Sequence, residues 1–262
     1  MNIGIILAAG KGSRLKCKTQ NKTSLELWGK PMVRYGVELF EQTVDQTIVV
    51  VGAFPESVKE AVGNHTVKYA NQTKRLGTGH ALKVAMRAIT QTKKTPNLIF
   101  LGYGDHMVSY TKESVIQMSS THAQENATIT LVTAVAPNPE GLGRIVRAKD
   151  GTVKGIVEQK DATPAQREIH EVNAGFYCFS YDFLKKNINK LKKSSVTGEY
   201  YLTDLISMAQ DKGLKIAAHV VPFEEVGTGV NTREQLDEYA ASKSVAHKSI
   251  RSDRAPMRLS LA

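Results

Sequence analysis

The stretch IGIILAAGKGSRL, residues 3–15, joins a short apolar, β-prone run to a turn rich in glycine. A run of that length, with no polar residue inside it, reads as a first strand buried on both faces. Gly10 and Gly12 permit close backbone approach to a phosphate chain, and Lys11 and Arg14 supply charge to neutralise it, so the turn has the chemistry of a triphosphate cradle. Two better-known phosphate loops do not fit. A dinucleotide fingerprint needs a third glycine where Leu15 stands, and a P-loop needs Gly-Lys-Ser/Thr after a four-residue gap.

Further along, Thr47 to Val51, Thr66 to Tyr69 and Asn97 to Leu101 are strand-like runs separated by helical patterns. Ala81, Leu82, Ala85, Met86 and Ile89 recur at helical spacing, with Lys83 and Arg87 off that stripe. This alternation predicts an α/β fold, a Rossmann-like, mostly parallel sheet flanked by helices. From about Ala127 strands dominate: Ala127 to Ala136, Arg144 to Ala148, Val153 to Glu158 and Val172 to Ser180. They predict a second sheet or a smaller strand-rich lobe, with a ligand cleft between the two parts. Pro137, Pro139, Gly141 and Gly143 mark a loop, and Asp150-Gly151 a hairpin turn. We expect a nucleotide part over about 1–126, a sugar part over about 127–241, and a flexible tail over 242–262.

The 262 residues suffice for a sizeable core, and 41% hydrophobic with 23% charged residues is ordinary for a globular protein. The net charge of +10 suits polyanionic partners without saying which. The run Lys185, Lys186, Lys190, Lys192 and Lys193 reads as a solvated face, and no nucleic-acid recognition motif accompanies it. Two cysteines, Cys17 and Cys178, exclude a disulfide framework and a cysteine-rich zinc site. No apolar run is long enough to span a bilayer, so a cytoplasmic protein without membrane contact is expected. Oligomeric state is not legible.

A set of segments in fixed order extends the first motif: GKPMV (29–33), RLGTGHA (75–81), YGD (103–105), GLGRIVR (141–147), IVEQKDAT (156–163), EVNAGFY (171–177), TGEYYLTD (197–204) and GVN (229–231). With LAAGKGSRL they resemble the pyrophosphorylase domain of the bifunctional N-acetylglucosamine-1-phosphate uridyltransferases, over nearly the whole chain. The resemblance implies a nucleotide-diphospho-sugar transferase fold. It implies magnesium-dependent transfer of a uridylyl group from UTP to N-acetylglucosamine 1-phosphate, with release of pyrophosphate.

It also implies roles. Asp105 and Asn231 would hold the Mg2+ ion. Asp105 follows an apolar strand and so falls at a carboxyl edge, where open α/β sheets bind ligands. Arg14, Lys11 and Lys22 would steady the phosphates. Leu7, Ala8, Ala9, Gly10, Gly12, Gln72, Gly77 and Thr78 would form the nucleotide pocket, with Gln72 and Gly77 reading the uracil. Tyr103, Gly143, Glu158, Asn173, Tyr201 and Thr203 would surround the sugar.

Alternatives remain: another hexose 1-phosphate or dTTP as substrate, a non-catalytic sugar-nucleotide sensor, or a nucleic-acid-binding protein resting on charge alone. No hexapeptide repeat of the kind that carries acetyl transfer in the bifunctional proteins is present in the sequence. Two departures from the family stand out. Its Pro-Lys pair is Asn21-Lys22 here, one residue further from Arg14, which predicts a looser loop. His106-Met107 replaces an apolar residue and proline.

Overall fold

The computed structural model describes residues 1–12, 15, 17–89, 95–226, 229, 232–237 and 240–241. The first strand, β1 (Ile3–Ala8), is buried throughout and pairs in parallel with β4 (Gln46–Val51) on one side and β6 (Leu98–Tyr103) on the other. Two short strands, β2 (Glu26–Leu27) and β3 (Lys30–Pro31), form a separate hairpin between them in sequence. β5 (Lys68–Asn71) adds in parallel beyond β4, two residues later than its apolar run predicts. Only Ala70 of this edge strand is buried, so alternation there is a weak guide.

The second half does not build a separate sheet. β7 (Ile129–Val135), β10 (Glu171–Ser180) and β11 (Ile216–Val221) extend the first sheet in the order β11-β7-β10-β6-β1-β4-β5. β10 is antiparallel to both its neighbours, and β11 is parallel to β7, so along this path only β10 runs against the rest. The strand-rich lobe is the ribbon of β8 (Arg144–Arg147) and β9 (Val153–Val157), attached to β10 where Val172 pairs with Arg144. Its hairpin turns at Asp150 and Gly151 as expected, with Gly151 at φ +84 and the Thr152 N–H donating to Asp150 Oδ1 at 3.0 Å.

Period-two alternation along β1 separates two cores. Ile3, Ile5 and Leu7 face the side covered by α3 (Thr78–Ile89), α6 (Tyr181–Asn187) and α7 (Asp204–Gln210). Ile6 and Ala8 face α1 (Met32–Glu41), α2 (Pro55–Val62) and α4 (Lys112–Gln124). The stripe expected on α3 is the buried one. Gly4 lacks a side chain for a packing reason, since a Cβ there would lie 2.3 Å from the Phe40 ring.

This topology positions a site. β4 and β6 lie on opposite sides of β1, so the chain reverses direction of sheet growth there, and the carboxyl ends of β1 and β6 are where open α/β sheets bind ligands. Because β10 is antiparallel, its first residues reach the same edge: Asn173 pairs with Thr133 near the end of β7.

Candidate active site

The glycine-rich turn leaves β1 at this edge. Ala8 and Ala9 are buried, whereas Gly10 and Lys11 are exposed. Gly12 adopts φ +65, and a Cβ there would approach Lys22 Cβ to 2.9 Å, so glycine is required both by the backbone and by the neighbour. Arg14 and Ser13 lie outside the described residues, as do Asn231 and the tail 242–262.

Lys22 opens a short 3-10 turn and extends its ammonium to Asp105 Oδ2 at 2.5 Å. Asp105, buried just after β6, would be pushed up by burial, but Lys22 and His106 hold its carboxyl below the usual range. It is therefore an ionised carboxylate enclosed by protein, with a cation beside it. The backbone of Gly229 also approaches, since a Cβ there would stand 2.9 Å from Asp105 Oδ2. Among the described residues no three His, Cys, Asp or Glu side chains converge as a ready metal cage. Magnesium takes one or two carboxylates together with phosphate oxygens and water, so the single buried Asp105 carboxylate fits its donor chemistry.

Residues 13, 14 and 16 of the loop expected to be looser lie outside the described residues, but the position of the missing proline is described. Asn21 has φ −72, inside the range proline would impose, and its side chain is buried and bonded on every side. The polar atom supplies what the ring would have supplied, and more.

Gln72, also buried, donates from Nε2 to Gly77 O at 3.0 Å and lies 3.0 Å from His80 Nδ1. A carbonyl can only accept, so the amide orientation is fixed and Oε1 remains its acceptor. With Nε2 as donor, His80 Nδ1 accepts, and burial together with Arg87 and Lys83 lowers the imidazole pKa in keeping with a neutral ring. Gly77, at φ +92, admits the Tyr200 carbonyl, which a Cβ would meet at 2.6 Å. Around it the Gly79 N–H donates to Tyr200 O (2.8 Å), the Tyr200 N–H to Leu76 O (2.8 Å), and the Leu202 N–H to Thr78 Oγ1 (3.0 Å). Thr78 begins α3, so the segment 76–79 is zipped to 200–202.

On the other wall, Glu158 Oε1 accepts from Thr203 Oγ1 at 2.9 Å. Thr203 stands at the start of α7 without capping it, because its hydroxyl is turned to Glu158. A Cβ on Gly143 would lie 3.6 Å from Asn173 Cβ and 3.7 Å from Glu158 Oε2, so these three converge. Burial raises the Glu158 pKa, opposed by Thr203 and reinforced by Asp161, Asp204 and Glu199. Asn173 Oδ1 accepts from the Gly175 N–H at 3.1 Å. The hydroxyls of Tyr177 and Tyr103 lie 3.5 Å apart. Tyr201 is anchored separately, its hydroxyl 2.8 Å from Thr197 Oγ1.

The nucleotidyl transferase family pattern matches residues 3–228. The chain belongs to that family. The transferase is 39% identical over 233 residues to the bifunctional protein GlmU of Clostridium acetobutylicum and 41% identical over 236 residues to that of Exiguobacterium sibiricum, covering 88% and 90% of this chain. It spans about half the length of these curated relatives, 50% and 51% respectively. A Bacillus anthracis protein described as a glucose-1-phosphate thymidylyltransferase, solved with sucrose, shares the fold with a TM-score of 0.72 at 19% identity, over 92% of this chain and 95% of that one. No helix among the described residues of the transferase is long and apolar enough to cross a membrane.

Three residues of the site were missed by sequence reasoning. Arg144 is almost fully buried, donating to the carbonyls of Leu142 and Arg167 and so fixing the loop that carries Gly143. Its motif was visible, but nothing in GLGRIVR says which arginine turns inward. His106 packs edge-on to Tyr103 with Nδ1 3.2 Å from Ala174 O, and Asp161 buries an Oδ2 without a hydrogen-bond partner beside the Glu158 group.

Proposed function

We propose that this transferase joins UTP to N-acetylglucosamine 1-phosphate, giving UDP-N-acetylglucosamine and pyrophosphate. A phosphate oxygen of the sugar 1-phosphate attacks the α-phosphorus of UTP. A new P–O bond forms, the bond between the α-phosphorus and its bridging oxygen breaks, and pyrophosphate leaves with that oxygen. No covalent enzyme intermediate is needed.

The observation that carries this reading is the meeting, at one sheet edge, of Lys22 and Asp105 with the Gln72–Gly77 turn on one wall and the Glu158–Thr203–Asn173 group on the other. Lys22, with Arg14 and Lys11, neutralises and orients phosphate oxygens, supplying position and charge rather than a nucleophile. Gln72 Oε1, left as an acceptor, suits the N3–H that uracil and thymine share and cytosine lacks. Leu7, Ala8, Ala9, Gly10 and Gly12 give the backbone of the phosphate and base pocket, with Thr78 tying its floor. Glu158, whose Oε2 lies beside Gly143, accepts from sugar hydroxyls. Asn173 offers its amide N–H groups and the second lone pair of Oδ1 to the sugar, and Tyr103, Gly143, Tyr201 and Thr203 complete the surround. Asp105, with Asn231, would hold a magnesium ion, whose chemistry when bound is neutralisation of charge on phosphate oxygens. On this reading the nucleotide part spans about 1–126 and the sugar part about 127–241.

The test is a matrix of UTP, dTTP, CTP and ATP against the 1-phosphates of N-acetylglucosamine, glucose and galactose, with magnesium and pyrophosphate detection. UTP with N-acetylglucosamine 1-phosphate is expected to be fastest. A faster rate with dTTP and glucose 1-phosphate would replace the substrates, and no turnover with any pair would favour a sensor.

A further inference from the structure

Asn21 is 1% exposed, yet it sits in a polar stretch and belongs to no helix or strand. Its Nδ2 is 3.0 Å from Ala8 O, 2.9 Å from Gly10 O and 2.8 Å from Ala53 O, so two amide protons serve three carbonyls. Its Oδ1 accepts from the Thr23 N–H at 2.9 Å and the Thr23 hydroxyl at 3.0 Å, and its own backbone N–H donates to Ser57 Oγ at 2.9 Å. The carbonyls on one side and the Thr23 N–H on the other fix the amide orientation without ambiguity. One side chain therefore ties together the end of β1, the glycine-rich turn, the segment after β4, and the turn that carries Lys22.

The consequence lies in the peptide plane. In a trans peptide the C=O and the following N–H point to opposite sides. Capture of Gly10 O by Asn21 turns the Lys11 N–H the other way, outward from the buried amide, where the turn is exposed. A backbone N–H so held is a preorganised donor to an anion, and it needs no reorganisation when the anion arrives. Proline at position 21 could set the same φ but could make none of these side-chain bonds.

We infer that Asn21 is a positioning residue for the triphosphate, fixing the outward Lys11 N–H and the aim of Lys22 through its buried amide. This rests on the reading of the turn as a phosphate cradle. A merely structural amide would affect folding alone, whereas a positioning amide affects the nucleotide and spares the sugar.

The experiment compares Asn21→Ala and Asn21→Pro with Asn187→Ala, a buried amide on α6 that bonds only its own helix at Phe183 O and lies away from the site. Thermal midpoints, magnesium-UTP affinity by calorimetry, and the KM for N-acetylglucosamine 1-phosphate are measured on the whole chain. Both Asn21 variants should bind UTP about tenfold more weakly, the equivalent of one preorganised hydrogen bond, with the sugar KM unchanged within twofold. Asn187→Ala should lower the midpoint and leave UTP affinity intact. Wild-type UTP affinity in Asn21→Pro would overturn the proposal, showing that φ alone suffices, as would an equal loss in Asn187→Ala. Should the Asn21 variants not fold, Ser57→Ala, which removes the acceptor of the Asn21 N–H along with the Ser57 hydroxyl's bonds to Ser24 and Phe54, carries the test, read beside Ser24→Ala, which breaks the Ser24 bond alone: a twofold to fivefold loss of UTP affinity in Ser57→Ala beyond that of Ser24→Ala supports the proposal, and no such difference overturns it. Wild-type protein that binds UTP but releases no pyrophosphate would refute the proposed reaction while the affinities still decide the role of Asn21. Absence of UTP binding by the wild type would overturn both.

Discussion

The two walls of the cleft are built by opposite means. The wall proposed for the phosphates is backbone and full charge: a turn with glycine at φ +65, a lysine and a carboxylate 2.5 Å apart, and a buried amide gripping carbonyls. The wall proposed for the sugar is made of neutral donors and acceptors, Tyr103, Asn173 and Thr203, with one carboxylate, Glu158, whose pKa burial raises. The first arrangement suits an anion whose charge must be balanced. The second suits a ligand recognised by hydroxyls and an amide. Substitutions on one wall should therefore damage one substrate, and the size of the effect should follow charge.

The largest loss is expected from Asp105→Ala. It leaves the Lys22 ammonium without its carboxylate and removes the donor proposed for the metal, so turnover should fall by roughly 10²–10³, the scale of losing one preorganised electrostatic contact. Steady-state pyrophosphate release with magnesium varied measures it. Normal turnover at limiting magnesium would separate Asp105 from the phosphates.

Glu158→Ala should cost the sugar about 1.5–3 kcal/mol, on the order of tenfold to a hundredfold in its specificity constant at saturating UTP, with UTP affinity spared. Equal losses for both substrates would dissolve the distinction between the walls. Glu158→Gln sharpens the same point through pH. A folded-state pKa raised above the unfolded value means that ionised Glu158 opposes folding, with that penalty absent below the unfolded pKa and fully developed as pH rises through the folded one. Glu158→Gln should then raise the melting temperature on the order of 2 °C at neutral pH, a gain that disappears in acid, while sugar use still falls. A midpoint lowered at neutral pH would contradict the burial argument.

Asn173→Ala should cost less, about 0.5–1.5 kcal/mol or roughly twofold to twelvefold in sugar use, because a neutral amide makes a weaker contact than a carboxylate. A loss exceeding that of Glu158→Ala would mean that Asn173 acts mainly by holding the backbone at Gly175.

What could be read from the sequence follows the range of the forces involved. β1, β4 and β6 are apolar runs buried on both faces, and a local pattern suffices to find them. The reversal of β10 could not be read, because Glu171–Ser180 is as continuously buried as a parallel strand and direction is set by its neighbours. β11 escaped because its two alanines and half-exposed His219 and Val220 leave no alternation to follow. On the site, Asp105 was legible as a carboxylate at a strand end and Gly12 as a turn residue. Asn21 was not: its burial depends on carbonyls of residues 8, 10 and 53, which only the folded sheet brings together. Arg144 is the same case, an arginine whose carbonyl partner at 167 lies across a hairpin.

The most direct measurement is phosphorus NMR of the wild-type chain with magnesium, UTP and N-acetylglucosamine 1-phosphate. Direct displacement at this cleft predicts that UTP and the sugar phosphate are consumed together, with a nucleoside diphosphate sugar and pyrophosphate appearing in equal amounts. An unchanged spectrum, or UMP and pyrophosphate formed while the sugar phosphate remains, would contradict it.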